Sequence, residues 1–409
     1  MSFSEWREVR LGDVCTYAST KVSVSEVSED NYISTENMLP NKSGVTKSSG
    51  LPTVGSVTKY SAGNVLVSNI RPYFRKIWYA DRDGGCSNDV LVFDINDSKT
   101  LDSKFLFYCL SNDVFFDYVM AGSKGTKMPR GDKGAIMKYP VLLPSLPEQK
   151  AIAATLSALD DMIELNNQIN KTLEEMAQAI FKSWFVDFEP FKDGEFEESE
   201  LGLIPKGWRV GCIGDYVKVK SGFAFKSSWW ETSGVPVIKI KEIDNYTINF
   251  GDVSYVSEDK AALAKDFRVN GGDLLIAMTG ATIGKFAIVP KMPSFAVVNQ
   301  RVGKFFLGDN PLEKLGFIYC ILKQDNVYKE IVSRGEGSAQ PNISPSGIES
   351  IKIVLPPERL INEYNQLVMK FFKMIIENTA ENALLICLRD TLLPKLMSGE
   401  IRVPVEEVV

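Results

Sequence analysis

The stretch that decides the fold is PEQKAIAATLSALDDMIELNNQINKTLEEMAQAIFKSW, residues 147–184. After Pro147 it contains neither proline nor glycine, and its apolar residues recur at alternating steps of four and three. This heptad pattern predicts a long helix, roughly 55 Å in length, that packs along a second helix. The seam positions are Ile152, Leu156, Leu159, Ile163, Asn166, Asn170, Leu173, Ala177 and Ile180.

A second stretch, PERLINEYNQLVMKFFKMIIENTAENALLICLRDTLL at residues 357–393, repeats this pattern. Asn166 and Asn170 interrupt the first seam, and Asn378 and Asn382 interrupt the second. Antiparallel packing of the two helices would bring the four amides together, where they would set the register at some cost in stability. The alternative is that the four asparagines are solvated on two unrelated surface helices. The second seam consists of Ile361, Tyr364, Val368, Phe371, Ile375, Asn378, Asn382 and Leu385.

Composition narrows the function class. The 409 residues are 44% hydrophobic and 24% charged, which suits two or three domains of an ordinary soluble protein. The chain has no histidine, so catalytic triads, histidine bases and histidine metal sites are excluded. Its six cysteines form no CxxC pair, which argues against zinc and disulfide frameworks. The net charge of −6 argues against a uniformly basic surface but allows local basic faces.

The absence of a long apolar run and of a signal peptide predicts a cytoplasmic protein with no membrane partner. No metal site and no cofactor site is expected on this chain.

The two halves of the chain repeat each other. Five anchors recur in the same order, which predicts a unit at 1–145 and a unit at 205–355. A long helix would follow each unit, at 146–188 and 356–405, and the acidic segment 189–204 would be a solvated linker. The fold class is therefore α+β, with two tandem β-rich units whose following helices form an antiparallel coiled coil. The anchors are Trp6-Arg7 with Trp208-Arg209, 62–67 with 271–276, 107–110 with 318–321, 125–129 with 337–341, and 142–144 with 354–356.

Candidate DNA contacts in the first unit come from two clusters. The run RPYFRK at 71–76 interleaves cations with aromatic residues, and a glycine- and lysine-rich loop spans 122–138. Either cluster alone would most simply be a solvated face, but two in one unit favour phosphate contact. A helix is predicted from Phe105 to Met120. The candidates are Arg71, Tyr73, Arg75, Lys76, Lys127 and Arg130.

Candidates in the second unit are more widely spread. The run TGATIGKFAIV at 279–289 fails the phosphate-loop template, because three residues separate its glycines and Phe286 stands where magnesium needs Ser or Thr. Asparagine and glutamine can read adenine, and arginine can read guanine, although loop amides more often cap turns. The candidates are Lys220, Phe223, Lys226, Lys239, Lys241, Thr279, Lys285, Asn299, Gln300, Arg301, Gln340 and Asn342. The favoured base readers are Arg71 in the first unit and Asn299, Gln300 or Arg301 in the second, since each follows a strand-like run.

Together these features resemble the specificity subunit of type I restriction–modification systems over nearly the whole chain. The motifs that carry the resemblance are LPSLPEQKAIAATLSALDDMI at 143–163, FVDF at 185–188, SGFAFKS at 221–227, VNQRVGKF at 298–305 and LLPKLMSGEI at 392–401.

The resemblance implies two target-recognition domains, each reading one half of a bipartite DNA sequence, with the helix pair setting the gap. It implies that the chain has no catalytic site. Modification subunits, two in number, would bind S-adenosylmethionine and methylate adenine N6. Restriction subunits would supply the ATP- and magnesium-dependent translocating nuclease.

Three other classes compete with this interpretation. A stand-alone two-headed regulator would bind specific DNA by itself, and a coiled-coil scaffold would leave the basic aromatic clusters without a purpose. An autonomous enzyme fits least, because the chain lacks histidine, a working phosphate loop and the methyltransferase tetrapeptide.

Overall fold

The computed structural model describes residues 6–53, 55–244, 246–335 and 341–404. The chain divides into two compact units, Met1–Asp161 with Leu385–Val409, and Met162–Leu384. The sequence predicts whole helices that follow each unit, whereas this division passes through both long helices. The reason is local: each unit packs a segment of both helices into its own core.

The first unit alternates short strands with short helices. Its one predicted helix from Phe105 to Met120 is two helices, because Asn112 leaves the helical conformation and its side chain accepts from the amide of Val114. The strands are β1 (Arg7–Arg10), β2 (Cys15–Tyr17), β3 (Lys21–Ser23), β4 (Tyr32–Ile33), β5 (Ser56–Tyr60), β6 (Val65–Ser68), β7 (Ile77–Tyr79), β8 (Gly84–Cys86), β9 (Val90–Ile95) and β10 (Pro140–Leu143). The helices are α1 (Leu11–Val14), α2 (Ser103–Ser111), α3 (Asp113–Ala121), α4 (Lys133–Ile136) and α5 (Leu146–Phe185).

Two four-stranded sheets form the core of the first unit. The antiparallel sheet has the order β2-β9-β6-β7, and the mixed sheet has the order β3-β5-β8-β4 with β4 and β8 parallel. Strand β6 is buried on both faces, as its unbroken apolar run predicts. Val65 and Val67 pack in the helix-containing cluster, and Leu66 packs in a separate cluster with Tyr60 and Cys86 of the mixed sheet.

The first turn of α5 is fixed by side chains within the first unit. The Gln149 side chain accepts from the amide of Asp102 at 2.9 Å and donates to the carbonyls of Thr100 and Pro144, both at 3.0 Å. Glu148 is 2% exposed and pairs with Arg402 at 2.5 Å. Buried polar groups need such partners, so these residues hold the helix start against the sheet.

The second unit repeats the plan of the first. Its helices repeat α1 to α5 in the same order, with one additional short helix at Glu258–Leu263. Its strands are β11 (Phe196–Ser199), β12 (Gly202–Pro205), β13 (Arg209–Cys212), β14 (Lys218–Ser221), β15 (Val235–Ile238), β16 (Ile243–Asp244), β17 (Thr247–Ile248), β18 (Ser254–Val256), β19 (Arg268–Val269), β20 (Leu274–Ala277), β21 (Phe286–Ile288), β22 (Ala296–Val298), β23 (Val302–Phe306) and β24 (Lys352–Leu355). Its helices are α6 (Ile213–Tyr216), α7 (Glu258–Leu263), α8 (Leu312–Lys323), α9 (Asp325–Gly335), α10 (Pro345–Glu349) and α11 (Glu358–Met397).

Sheet topology repeats with the helices. The order β14-β23-β20-β21 corresponds to β2-β9-β6-β7, and the pair β13 with β24 corresponds to β1 with β10. In the second mixed sheet β22 is antiparallel to β19 and parallel to β15, as β8 is antiparallel to β5 and parallel to β4. The duplication is therefore one of fold as well as of sequence anchors.

The four seam asparagines lie together within the second unit. The Asn166 amide donates to the Asn382 side-chain oxygen at 3.0 Å, and the Asn378 amide donates to that of Asn170 at 2.9 Å. Asn382 also donates to the side-chain oxygen of Asn167 at 2.9 Å, a partner that the seam pattern does not include. As the residue number rises from 166 to 170 along α5, that of the partner falls from 382 to 378 in the facing helix, so these helix segments run antiparallel.

The buried stripe of α11 in this unit is wider than the predicted seam. Phe372 and Ile376 are buried, whereas the predicted seam residues Phe371 and Ile375 are only partly buried. The helix packs against the domain as well as against α5: a Cβ added at Gly316 of α8 would lie 2.4 Å from Val368. A helix that packs against two neighbours buries a broader apolar face. The buried residues of such a face recur about every 3.6 residues, compared with 3.5 in a two-helix seam.

The acidic segment 189–204, predicted as a solvated linker, is an ordered hairpin of β11 and β12. Ile204 is buried, and the Phe188 and Phe191 rings pack on Trp208 at 5.4 and 5.2 Å between centroids. The acids are exposed, as are Phe196, Leu201 and Leu203, whereas Ile204 is buried and Phe191 is partly buried against the unit. Counting charges does not show which residues anchor the segment. No helix among the described residues has a stretch long and apolar enough to span a membrane.

Candidate nucleic-acid interface

Three chain segments of the first unit meet at one edge, joined by backbone hydrogen bonds. The Asn69 amide donates to the carbonyl of Asp89 at 2.8 Å, and the Arg71 amide donates to that of Pro129 at 2.8 Å. The Gly131 amide returns a bond of 3.2 Å to the Asn69 carbonyl. We call the residues 69–71, 87–89 and 129–131, and their counterparts in the second unit, the three-segment edge.

The second unit makes the same bonds at 278–280, 299–301 and 341–343. Met278 donates to the Arg301 carbonyl at 3.1 Å, Gly280 donates to that of Pro341 at 2.9 Å, and Ile343 donates to that of Met278 at 2.9 Å. The two units therefore have the same backbone hydrogen bonds at this edge but different side chains. Three pairs of positions correspond: Arg71 with Gly280, Asp89 with Arg301, and Arg130 with Asn342.

The two arginines at the edge of the first unit differ in their contacts, since Arg130 forms an ion pair and Arg71 forms none with a described residue. Arg71 is exposed, and no described residue forms an ion pair or hydrogen bond with its guanidinium. Arg130 pairs with Asp89 at 3.1 Å, both partly exposed, so the pair orients the guanidinium more than it stabilises the fold. Lys127 is exposed in the same loop and has no ion-pair partner among the described residues.

The edge of the second unit exposes Gln300, Arg301 and Asn342, whose side chains contact no described partner. Asn299 differs from them, because its side-chain oxygen accepts from the Arg301 amide at 3.4 Å and so caps the turn. The Thr279 hydroxyl is buried without a partner in the described part of the chain.

Phe223 joins the edge of the second unit through the backbone, since its carbonyl accepts from the Gln300 amide at 2.9 Å. Gln340 lies outside the described residues.

Other predicted cations of the first unit already have protein partners. Arg75 pairs with Asp113 at 2.8 Å. Lys76 donates to the Thr35 carbonyl at 2.6 Å, and burial lowers its pKa. Tyr73 is exposed beside them. Of the run 71–76, the residues available to a ligand are therefore Arg71 and the aromatic pair that follows Pro72.

The cations and aromatic residues between Phe223 and Lys241 of the second unit mostly contact one another. The Lys239 ammonium lies 3.7 Å from the centroid of the Trp230 ring and donates to the Ser254 hydroxyl at 2.7 Å, and burial lowers its pKa. Lys226 lies 5.5 Å above the ring of Trp229. Cation–π contacts of this kind stabilise the fold and leave less of each charge for phosphate.

Three further lysines of the second unit lie outside its three-segment edge. Lys241 pairs with Asp252 at 2.7 Å, and Lys285 pairs with Asp244 at 3.5 Å. Lys220, on β14, has its ammonium 4.9 Å from the centroid of the Phe306 ring.

Asp89 and Gly280 are the edge positions that the sequence interpretation missed. The signal was present in the repeat anchors, since aligning 62–67 with 271–276 places Arg71 opposite Gly280. Aligning the following strands likewise places Asp89 opposite Arg301.

The chain is similar to known proteins in both sequence and structure. The family model described as "Type I restriction modification DNA specificity domain" matches residues 3–175 and 205–385. The MjaIX type I restriction enzyme specificity subunit of Methanocaldococcus jannaschii is 33% identical, covering 74% of this chain and 69% of that protein. The HindI type I restriction enzyme specificity subunit of Haemophilus influenzae is 26% identical, covering 97% and 100% respectively.

The crystal structure of a type I restriction–modification S subunit from M. genitalium aligns with a TM-score of 0.59 and 18% identity over 96% of each chain. That likeness concerns the fold. The comparisons give no support to a stand-alone regulator.

Proposed function

Because this chain belongs to the type I restriction–modification DNA specificity family, as a non-catalytic specificity subunit, we propose that it reads a bipartite double-stranded DNA sequence. The domain at 1–145 reads one half and the domain at 205–355 reads the other. The chain directs the adenine-N6 methylation or the cleavage that partner subunits perform.

The three-segment edge is the observation that carries this proposal. The same backbone framework occurs in both units, with Arg71, Asp89 and Arg130 in one and Gly280, Arg301 and Asn342 in the other. Reading two unlike DNA sequences requires a common backbone framework with different side chains. Side-chain contacts with base edges determine which sequence is bound, whereas the framework fixes the position of the domain on the duplex.

We assign roles by exposure and pairing. Arg71, Gln300, Arg301 and Asn342 have unpartnered polar side chains among the described residues and are the base-reading candidates. Lys127 is an exposed cation without an ion-pair partner among the described residues and is the phosphate candidate of the first unit. Lys220 and Lys226 are exposed but lie over the Phe306 and Trp229 rings, so they are weaker phosphate candidates, and Arg130 is available once its pair with Asp89 opens. Arg75, Lys76, Lys239, Lys241 and Lys285 serve mainly to position their loops, because each already has a protein partner.

The partners follow from the family. Two modification subunits carrying S-adenosylmethionine dock on the long helices, and restriction subunits with ATP and magnesium complete the nuclease. The complex acts in the cytoplasm, where its DNA is. Asn166, Asn170, Asn378 and Asn382 set the helix register, and thereby the gap between the two half-sites.

An exchange of domains tests the proposal. The first chimera replaces residues 1–145 with the same domain of a relative, and sequencing of methylated DNA should show one half of the target changed and the other kept. A second chimera also exchanges 146–161 and 385–409, because Gln149 is bonded to Asp102 and Arg389 to Asp160 within this unit.

The reciprocal exchange of 205–355 is the control, and it should change only the opposite half. Changes in both halves from a single exchange would contradict independent reading.

A further inference from the structure

The turn Pro72–Phe74 of the first unit lies in the most strained backbone of the described chain. Arg71 before it and Arg75 after it have φ angles of 49° and 51°, and the loop beside it contributes Asn41 at 55° and Lys42 at 62°. Six non-glycine residues among those described are left-handed, and four of them meet here. Such strain persists only where the surroundings impose it, and it concentrates at functional sites.

The surroundings impose this conformation through bonds on every side. The Asn41 amide donates to the Phe74 carbonyl at 2.8 Å, and the Lys42 amide donates to the Arg75 carbonyl at 3.0 Å. One carboxylate, that of Asp113, pairs with Lys42 at 2.7 Å and with Arg75 at 2.8 Å. The turn is therefore a rigid projection and not a flexible loop.

What this turn presents is a pair of exposed aromatic rings. Tyr73 is 48% exposed and Phe74 is 38% exposed, and their ring centroids lie 4.6 Å apart. No described residue hydrogen-bonds the Tyr73 hydroxyl. An apolar tip built at the cost of four left-handed residues needs a ligand that covers it.

At the corresponding position, within the described residues, the second unit has no such tip. After Gly280 its chain continues as Ala281, Thr282 and Ile283, and Ile283 is buried in the core. The aromatic tip is thus a property of one half of the repeat, superimposed on a framework that both halves share.

The charge around the tip identifies its ligand. The tip follows Arg71, whose amide is bonded to Pro129, so it is continuous with the three-segment edge. The Arg71 guanidinium has no ion-pair or hydrogen-bond partner among the described residues and is available to DNA. Lys76 adds positive charge 5.7 Å from the centroid of the Phe74 ring, although its ammonium is already bonded to the Thr35 carbonyl. Aromatic rings flanked by cations suit nucleobases beside phosphates, and apolar wedges of this kind enter base steps and kink the duplex.

We propose that Tyr73 and Phe74 form a wedge that enters the stack of double-stranded DNA beside the first half of the target and unstacks one base step. This inference rests on the proposed function, namely DNA reading by the first unit. It makes recognition of that half depend on how readily the step unstacks, in addition to the contacts made with base edges. The second half is read without such a wedge.

The test uses the full chain assembled with its modification subunits and a target duplex carrying 2-aminopurine at one position at a time. This base brightens when it is unstacked. One position at the first half should brighten several-fold on binding, and the Tyr73→Ala/Phe74→Ala variant should lose that signal and bind about ten-fold more weakly. The Tyr73→Phe variant should retain the signal. Leu263→Ala, at an apolar residue of the second unit that is 56% exposed, is the control and should behave as the parent.

The adenine that the methyltransferase flips out gives a second signal, which must persist in the wedge variant. Absence of brightening at every position of the first half other than the flipped adenine, with the target still bound specifically, overturns the wedge and leaves the proposed function intact. Undiminished brightening in the double variant overturns it as well. Loss of assembly with the modification subunits would show that the tip docks protein instead. A parent complex that does not discriminate its target would overturn both proposals together.

Discussion

Arg71 and Gly280 occupy the same backbone position in the two units. Their φ angles are 49° and 72°, and their amides donate to the carbonyls of Pro129 and Pro341 at 2.8 and 2.9 Å. Glycine adopts this conformation freely, whereas a residue with a Cβ does so at a cost of roughly 1 kcal/mol. The first unit thus keeps an arginine where its own fold favours glycine, which indicates that the guanidinium serves function and not stability.

Replacing Arg71 separates these two effects. Arg71→Gly should raise the free energy of unfolding by about 1 kcal/mol, because the strain is relieved, while DNA binding weakens. Arg71→Ala should weaken DNA binding equally but leave stability unchanged, since alanine retains the strained φ. Urea unfolding and competition binding measure the two quantities. Equal stability of the glycine and alanine variants would contradict the strain argument.

The Asp89–Arg130 pair should restrain binding to DNA of any sequence. Asp89→Asn frees the guanidinium, so affinity for scrambled DNA should rise and the slope of log affinity against log salt should steepen by about one. The matched control is Asp81→Asn, which breaks another exposed pair of the same unit, Asp81 with Arg82 at 2.9 Å. Titrations at two salt concentrations measure the slopes, and identical slopes for the two variants would exclude a role for Asp89.

The four seam asparagines should lower the stability of the helix pair while fixing its register. Asn382→Leu alone should lower the free energy of unfolding by about 1–3 kcal/mol, because the Asn166 amide loses a buried partner. Replacing Asn166, Asn170, Asn378 and Asn382 together with leucine should instead stabilise the helix pair but loosen its register. Thermal unfolding and the spacer selectivity of the assembled methyltransferase report the two effects. A sharp loss of stability with unchanged selectivity would contradict this role of the asparagines.

Thiol labelling checks the packing of both cores. Burial raises the pKa of Cys15, Cys86 and Cys320 to about 12, so these thiols stay protonated and unreactive at pH 8 in the folded protein. Cys387 is exposed and should be alkylated first. Because burial both raises their pKa and shields them from the reagent, the protected thiols should gain reactivity only when the chain unfolds. Mass spectrometry after brief iodoacetamide treatment gives the order, and early labelling of Cys86 would contradict the mixed sheet of the first unit.

The sequence alone predicted those features whose information is local or periodic. Heptad spacing located both long helices, and the interrupted seams predicted that the four asparagines would meet; the structure pairs Asn166 with Asn382 and Asn170 with Asn378. Repeat anchors predicted two β-rich units, because duplicated sequence preserves both spacing and order. Charge counting was weaker: it made 189–204 a linker, because it does not show that Ile204 is buried and that the Phe191 ring packs on Trp208.

Only the tertiary structure decided which charges are free and which segments meet. Lys239 and Lys76 look like phosphate contacts in the sequence, yet their ammonium groups bond Ser254 and Thr35. Arg71 reaches Pro129, and Asp89 reaches Arg130, only because the chain folds back between them. A pattern of periods and charges records what each residue is, whereas its availability to DNA depends on neighbours that are distant in the chain.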